Sequence, residues 1–396
     1  MTEVRRVSGV AGVSGVAGVS GAKRYYRPEL DGLRFFAFLA VFAFHRMDYV
    51  PTDPVLNRWG FRVGTVGAFG VPVFFLLSAF LITELLLRER ETVGAIHVRS
   101  FYVRRILRIW PLYFAVFYGL ALLNRFLPGT GTDNPWAWLA FTGFSGNWYI
   151  TVRGWIAGSV DPLWSISVEE QFYLLVPLLA AWGGRRALAA ASWLCLAVAY
   201  GTVFLYGLHR SPGDHGEWTN SLVQFQFFAA GTLIALLLRG RLVRWSLPVR
   251  AVAFAAGIGC WFGAMLGFRV QSWDPQPTAM GSVAGWGLVL VGTCLLFLAV
   301  LGVAERFVPR WLAYLGRISY GLYLFHSLLF FLVFEQGRQL LNGLAGALRL
   351  GATGRNALGT ALVLGLSIAV AHLSFRHFEA YFLRLKRRYT LVQARD

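Results

Sequence analysis

Apolar residues along this 396-residue chain fall in runs of about twenty, separated by short polar or arginine-bearing segments. A helix of about twenty apolar residues is long enough to cross the hydrocarbon core of a bilayer. We therefore predict an all-α fold, a polytopic membrane helix bundle of about ten transmembrane helices. The predicted spans are residues 33–50, 66–87, 109–126, 163–182, 187–207, 222–238, 249–268, 281–303, 318–335 and 357–375.

The composition indicates a membrane protein, and the distribution of its basic residues predicts the orientation in the membrane. Hydrophobic residues make up 57% of the chain, and the formal net charge is +18. In a soluble protein this charge would indicate nucleic-acid binding, but 27 of the 37 Lys and Arg lie in alternate loops. Basic residues mark the cytoplasmic loops of membrane proteins, so we expect both termini in the cytoplasm. We expect the chain to have the lipid bilayer of a bacterial plasma membrane as its partner and to bind no nucleic acid.

We divide the chain into one membrane domain and two tails. Residues 1–24 contain a V-[SA]-G triplet repeated from Val7 to Gly21, which predicts a disordered, low-complexity tail without a cleaved signal peptide. The ten-helix domain is predicted over residues 25–388 and a short cytoplasmic tail over 389–396. The Trp-rich segment 135–150 favours a re-entrant or interfacial element on the outer side.

Two ionisable residues share one face of the first predicted span. Arg34 and His45 are eleven residues apart, which is three turns plus about 20° at about 100° per residue. The same spacing separates them by roughly 16 Å along the axis. A histidine at membrane depth indicates function, although a helix-end residue at the outer interface is the alternative. Arg34 fits either a ligand contact or a cytoplasmic anchor, and Asp48 is within reach of the His45 ring.

Three arginines precede the third predicted span. Arg105 and Arg108 are one helical turn apart and can hold one polyanion together, with Arg104 beside them. Ordinary cytoplasmic anchoring explains basic residues here equally well. A phosphate-bearing ligand that approaches from the cytoplasm is the functional interpretation.

Further ionisable residues occur in two later spans. Glu169 and Glu170 stand where the fourth span enters from the outside, and one of them is a candidate to orient a histidine base. The alternative is an acid stabilised by the helix dipole. His326 lies nine residues after Arg317, which places the two on opposite helix faces, and a structural role for His326 is equally open. The chain has neither paired histidines at ligand spacing nor a cysteine cluster, so no metal site is predicted.

Several of these stretches resemble the membrane acyltransferase-3 family. The first span carries the family's R-x10-H spacing, and the other blocks follow in family order up to about residue 388. The matching stretches are "LDGLRFFAFLAVFAFH", "FGVPVFFLLSAFLI", "RRILRIWPLY", "LWSISVEEQFYLLVP", "ISYGLYLFH" and "HLSFRHFEAYFLRLKRR". In the second of these, Ala79 replaces the glycine that is usual in the family, which puts only fine helix packing in doubt.

The resemblance implies a membrane enzyme that moves an acyl group, commonly acetyl, from acyl-CoA to a hydroxyl of a carbohydrate or other acceptor. His45 would be the catalytic base, with Glu170 or else Glu169 stabilising its protonated ring. Acyl-CoA would be a substrate, so no bound cofactor is expected. The donor would be held by Arg34, Arg105, Arg108 and Arg104. The candidates for oxyanion or acceptor contacts are Ser78, Ser167, Tyr173, Trp164, Tyr320 and His326.

Within the family the chain looks most like the macrolide O-acyltransferases. Family members often carry an additional hydrolase-like domain, whereas only a basic tail follows the helices here. Two alternatives to direct acyl transfer stay open. A two-step route with His45 or Ser78 as the nucleophile is compatible with the same residues. A proton-coupled transporter of small solutes would also have about ten spans with buried charges.

Overall fold

The computed structural model describes residues 26–47, 54–156, 158–209, 216–271 and 278–390, without the side chains of 54–59 and 61. These residues form sixteen α-helices with short 3-10 and π-helical turns and no β-strand, which confirms the all-α prediction. Asp48, the whole predicted N-terminal tail and most of the C-terminal tail lie outside the described residues. The helices are α1 (Pro28–Arg46), α2 (Pro54–Gly67), α3 (Gly70–Val93), α4 (Val98–Leu123), α5 (Pro135–Thr142), α6 (Gly146–Arg153), α7 (Trp164–Leu208), α8 (Gly216–Thr219), α9 (Ser221–Leu238), α10 (Leu247–Phe268), α11 (Ala279–Val300), α12 (Arg310–Arg317), α13 (Ser319–Phe330), α14 (Arg338–Ala347), α15 (Ala352–Ser374) and α16 (Ala380–Lys386).

Many of these helices have the length and composition of membrane spans. Within the described residues seven helical stretches are long and apolar enough to cross a membrane. An eighth results if α12 and α13, which are bent by 69° with respect to each other, are counted as one span. Each predicted span coincides with helical structure, so a polytopic helix bundle is confirmed. The count of ten and the cytoplasmic position of the termini stay predictions.

Helix α7 contains a break between the fourth and the fifth predicted span. Its 45 residues are two helical segments that meet at a kink. Only Gly184 leaves helical geometry there, with φ 57° and ψ −147°. The side chain of Arg90 donates a hydrogen bond to the carbonyl of Ala180 at 3.3 Å, beside this kink. A break between the fourth and the fifth predicted span therefore lies within the predicted segment 183–186. It needs only one non-helical residue, because a glycine adopts a positive φ without steric cost.

Shorter helices occupy segments that were predicted as loops. Helix α2 lies mostly in the predicted outer loop between the first two spans, and α14 lies between the last two. The Trp-rich segment forms α5 and α6, each eight residues long. Eight residues of helix are about 12 Å long, which is too short to cross a bilayer and agrees with the prediction that this segment is not a span.

Helix α3 lies in the middle of the bundle and packs closely on α9. A Cβ atom placed on Gly231 of α9 would lie 2.3 Å from the Leu76 carbonyl oxygen and 3.0 Å from the Ala79 Cβ. Ala79 itself is fully buried. The alanine that departs from the family pattern is therefore accommodated because the facing residue is a glycine. This contact holds the second and sixth predicted spans together at backbone distance.

The residues of interest lie where α1, α3, α4, α7 and α13 meet. Pro28 starts α1 at a position where its missing N–H costs nothing, and Glu29 and Asp31 occupy the first turn. Helix α4 begins eleven residues before its predicted span, so its arginines belong to its first three turns. His45 lies in the last turn of α1, and Arg34 lies nearer the start of the helix.

Candidate active site

A cluster of cationic side chains surrounds one cavity, which we call the basic cavity. It comprises about 1270 Å³ of empty space, part of which is open to the outside, and is lined by Arg34, Arg104, Arg105 and Arg108, all four of the arginines predicted to hold the donor. Three further basic residues that sequence reasoning did not assign to the donor also line it: Arg27, Arg317 and Lys386. The structure thus gathers residues from α1, α4, α12 and α16 around one volume. Such a cavity favours an anionic ligand.

The four predicted arginines differ in their partners. Arg34 pairs with Asp31 at 2.8 Å, and Arg104 pairs with Glu89 at 2.9 Å. Within the described residues, Arg105 and Arg108 form no salt bridge with a carboxylate. The Arg105 guanidinium lies instead over the Tyr173 ring, 5.3 Å from its centroid. Of the four predicted arginines, Arg105 and Arg108 are therefore the more available to a phosphate.

A second cavity, the inner cavity, adjoins the first. It lies between α3, α4, α7 and α13 and comprises about 750 Å³ of empty space, part of which is open to the outside. Its walls include Val71, Phe74, Phe75, Ile109 and Ile166, so much of it is apolar. Four residues line both cavities, namely Arg34, Ser78, Arg105 and Arg108. A ligand with anionic groups in the basic cavity can therefore extend into the inner cavity.

The two adjacent acids have different surroundings. Glu169 lines the inner cavity and accepts hydrogen bonds from the Ser78 hydroxyl at 3.2 Å and the Tyr173 hydroxyl at 2.8 Å. Glu170 accepts one from the Trp110 indole N–H at 2.9 Å, and its Oε1 is buried with no partner among the described residues. Only Glu169 is therefore placed to contact a ligand in either cavity.

The His45 ring is held by a second histidine. Its Nδ1 is 2.9 Å from Nε2 of His326, and Nδ1 of His326 is 2.6 Å from the Tyr323 carbonyl oxygen. A carbonyl only accepts, so the proton of a neutral His326 lies on Nδ1 and its Nε2 accepts from His45. His45 then carries its proton on Nδ1. This assignment leaves the Nε2 lone pair of His45 free to act as a base.

The prediction that Glu170 or Glu169 is the hydrogen-bond partner of His45 is therefore corrected. Within the described residues neither Glu169 nor Glu170 forms a hydrogen bond with His45. The acids sit on α7, whereas the end of α1 packs against α13, which brings His326 to the ring instead. Spacing within one helix could not reveal this partner, because the contact joins residues 281 positions apart.

Neither cavity is lined by His45 itself. Tyr323 lines the inner cavity, and its ring centroid is 5.6 Å from that of His326. Its hydroxyl is 2.7 Å from the Ser165 hydroxyl and donates to the Pro162 carbonyl at 2.9 Å. Tyr323 thus stands between the inner cavity and the histidine pair. Sequence reasoning missed Tyr323 and Ser165, although Tyr323 is part of the "ISYGLYLFH" stretch.

The other predicted contact residues divide into two groups. Ser78, Tyr173 and Tyr320 line the inner cavity, and the Tyr320 hydroxyl donates to the Ile109 carbonyl at 2.8 Å. Trp164 and Ser167 line neither cavity. Trp164 is buried against Phe75 and Trp218, as expected of a core residue.

Sequence comparison gives the family. The sequence profile described as an acyltransferase domain of the acyltransferase-3 type matches residues 27–373. The chain belongs to the acyltransferase-3 family. This match includes α1 to α15, and with them His45, both glutamates, His326 and the arginines of α4. No solved structure matches this acyltransferase-3 chain.

Relatives of this acyltransferase-3 chain come from several bacteria. It is 28% identical over 324 residues to a Staphylococcus aureus protein named as an O-acetyltransferase, covering 77% of this chain and 50% of that protein. It is 32% identical over 205 residues to YrhL of Bacillus subtilis, named as a peptidoglycan O-acetyltransferase, covering 48% of this chain and 30% of YrhL. It is 26% identical to the acyltransferase MdmB of Streptomyces mycarofaciens, covering 81% of this chain and 82% of MdmB. The chain thus spans about half the length of the Staphylococcus relatives and most of the length of MdmB.

Proposed function

We propose that the chain transfers an acyl group, acetyl in the first instance, from acyl-CoA to a hydroxyl of a sugar-containing or macrolide-type acceptor. We further propose that it does so as a multi-pass protein of a bacterial plasma membrane. Membership of the acyltransferase-3 family and the O-acetyltransferase names of its relatives support O-acyl transfer. The match to most of the length of the acyltransferase MdmB supports acyl transfer as well.

One observation carries the choice of donor. The arginine-lined basic cavity joins a narrower, partly apolar cavity that leads towards a histidine pair. Coenzyme A has the same order of chemical groups, with phosphates at one end, a long pantetheine arm and a thioester at the other. In this proposal Arg105 and Arg108 bind the diphosphate, and the arm runs through the inner cavity past Glu169. Movement of the Tyr323 ring would then bring the thioester to His45.

The proposed reaction is a direct transfer. The Nε2 of His45 takes the proton of the acceptor hydroxyl as its oxygen attacks the thioester carbonyl. The tetrahedral intermediate expels the CoA thiolate, which receives that proton from the imidazolium. His326 accepts a hydrogen bond from Nδ1 of His45 throughout, so it is a positioning residue. No acyl-enzyme is required, although Ser78 at the junction of the cavities is where a two-step route would be sought.

The test separates donor binding from chemistry. His45→Ala in the purified full-length protein is expected to lower transfer of labelled acetyl from acetyl-CoA about 100-fold or more, because general-base catalysis is lost. It should leave the CoA-dependent rise in melting temperature intact. Arg108→Ala should instead weaken CoA binding about tenfold, since a charged hydrogen bond is lost.

Matched controls are available on the surface. His209→Ala and Arg244→Ala replace exposed residues that line neither cavity, and we expect both to behave as wild type. Transfer by His45→Ala at the wild-type rate would exclude the assigned base. Failure of millimolar CoA to stabilise the wild-type protein would exclude the donor and favour a proton-coupled transporter.

A further inference from the structure

A third cavity, the side cavity, opens next to the basic cavity. It comprises about 1210 Å³ of empty space, part of which is open to the outside, and is formed by the start of α1, the segment 305–309 and α12. Three arginines line it, Arg306, Arg310 and Arg317, with Glu305 as the one acid among its lining residues. The remaining walls are aromatic, apolar or proline side chains: Tyr26, Pro28, Val308, Pro309 and Ala313.

The arginines of the side cavity have no carboxylate partner. Within the described residues none of the three forms a salt bridge, whereas Arg34 and Arg104 of the basic cavity are paired with acids. The Arg317 guanidinium stacks on Tyr314 at 5.4 Å and the Arg306 guanidinium on Phe307 at 4.9 Å. The Nε of Arg317 is buried without a hydrogen-bond partner. Unneutralised arginines around a concave surface favour a phosphate with two negative charges.

The side cavity and the basic cavity are adjacent. Tyr26 and Arg317 line both of them, so Arg317 lies at their boundary. Coenzyme A carries a second phosphate, a monoester on the 3′-oxygen of its ribose, one sugar away from the diphosphate and beside the adenine. With a diphosphate at Arg105 and Arg108 in the basic cavity, this part of the molecule can enter the side cavity past Arg317, which lines both.

We propose that the side cavity binds the 3′-phosphate of coenzyme A through Arg306 and Arg310, with Arg317 between the two phosphate positions. The neighbouring aromatic and proline side chains form an apolar wall for the adenine. This inference rests on the proposed function. It makes the nucleotide end of the donor a determinant of specificity, since a phosphopantetheine thioester without that end would lose the contact.

The test compares two ligands that differ by one phosphate. The dissociation constants of CoA and 3′-dephospho-CoA are measured by thermal shift and calorimetry on the full chain in uncharged detergent. Wild type should bind CoA at least about tenfold more tightly than 3′-dephospho-CoA, which corresponds to about 1.4 kcal/mol. In the double variant Arg306→Ala and Arg310→Ala this ratio should fall towards one. Arg244→Ala, an exposed arginine outside all three cavities, is the matched control and should keep the wild-type ratio.

Each other outcome has a definite meaning. An unchanged ratio in the double variant, or an equal loss of affinity for both ligands, would overturn the subsite. An anionic lipid headgroup shares the phosphate chemistry, so the same proteins are measured in nanodiscs with and without phosphatidylglycerol. If the variant lost only its stabilisation by that lipid, the subsite would belong to lipid and the proposal would be wrong. If wild type bound neither CoA nor 3′-dephospho-CoA, the proposed function itself would fail.

Discussion

The proposed role of His45 depends on two hydrogen bonds that run in sequence. The Tyr323 carbonyl fixes the proton of His326, and His326 in turn fixes the proton of His45. His326 is fully buried. The tautomer that frees the Nε2 of His45 is therefore set by a backbone carbonyl oxygen through two consecutive hydrogen bonds.

We predict that His326 affects the rate of transfer and not donor binding. His326→Ala should lower kcat roughly 10- to 100-fold, because His45 loses the hydrogen bond that orients it. The dissociation constant of CoA should change less than twofold. His326→Gln should restore part of the rate, since its amide oxygen can accept from Nδ1 of His45.

The comparison between these two variants excludes a purely structural role. Both remove the same buried ring, so a general loss of stability would lower the activity of both and would reduce the amount of folded protein. Equal rates for the two variants, or weaker CoA binding in either, would contradict the positioning role.

At the scale of helices, close backbone contacts decide where the site residues stand. The contact of α9 with α3 at Gly231 fixes the helix that carries Ser78. The kink at Gly184 lets the helical segment that carries Glu169 and the segment that follows it take different directions in the bundle. The apolar runs predicted that these helices exist, but they contain no information about which pairs touch.

We predict that Gly231→Ala destabilises the protein, because its new Cβ would meet the Leu76 carbonyl and the Ala79 side chain. Overpacking of this kind costs about 1–3 kcal/mol, measured as a fall in melting temperature. Adding Ala79→Gly should recover only part of the loss, since the Leu76 carbonyl belongs to the backbone. Gly259→Ala is the control, because a Cβ there meets nothing within 4 Å. A Gly231→Ala protein as stable as Gly259→Ala would refute the close contact.

At the scale of the whole molecule, the cavities lie in an order that runs from one side of the bundle towards the other. The basic and side cavities gather around the start of α1, α4 and α12, and the histidine pair lies at the far end of α1. Charge counting assigns the arginine-rich side to the cytoplasm, where acyl-CoA is available. The predicted orientation of the bundle therefore also predicts that cytoplasmic acyl-CoA can reach the basic cavity.

We predict that both termini face the cytoplasm. Green fluorescent protein fused to either end should fluoresce, and alkaline phosphatase fused there should be inactive, because the first folds in the cytoplasm and the second outside it. Phosphatase fused after His209, which the predicted topology places outside, is the control and should be active. Activity of phosphatase at either terminus would reverse the orientation and leave the basic cavity away from cytoplasmic acyl-CoA.

The sequence alone determined the class of fold and most of the candidate residues. Runs of apolar residues predicted the helices because a helix in lipid must satisfy its own backbone and present apolar side chains along its whole length. Spacing placed Arg34 and His45 on one face, and the structure puts all four predicted arginines around one cavity. These are local properties, and local sequence is enough to determine them.

Only the tertiary structure decided which residues meet. It placed His326 beside His45 where an acid was expected, reduced the turn between two predicted spans to the kink at Gly184, and added Arg317, Lys386 and Tyr323 to the walls of the cavities. Each of these outcomes depends on contacts between helices that are far apart in the chain. The packing of complete helix surfaces sets such contacts, and no spacing within a single helix specifies them.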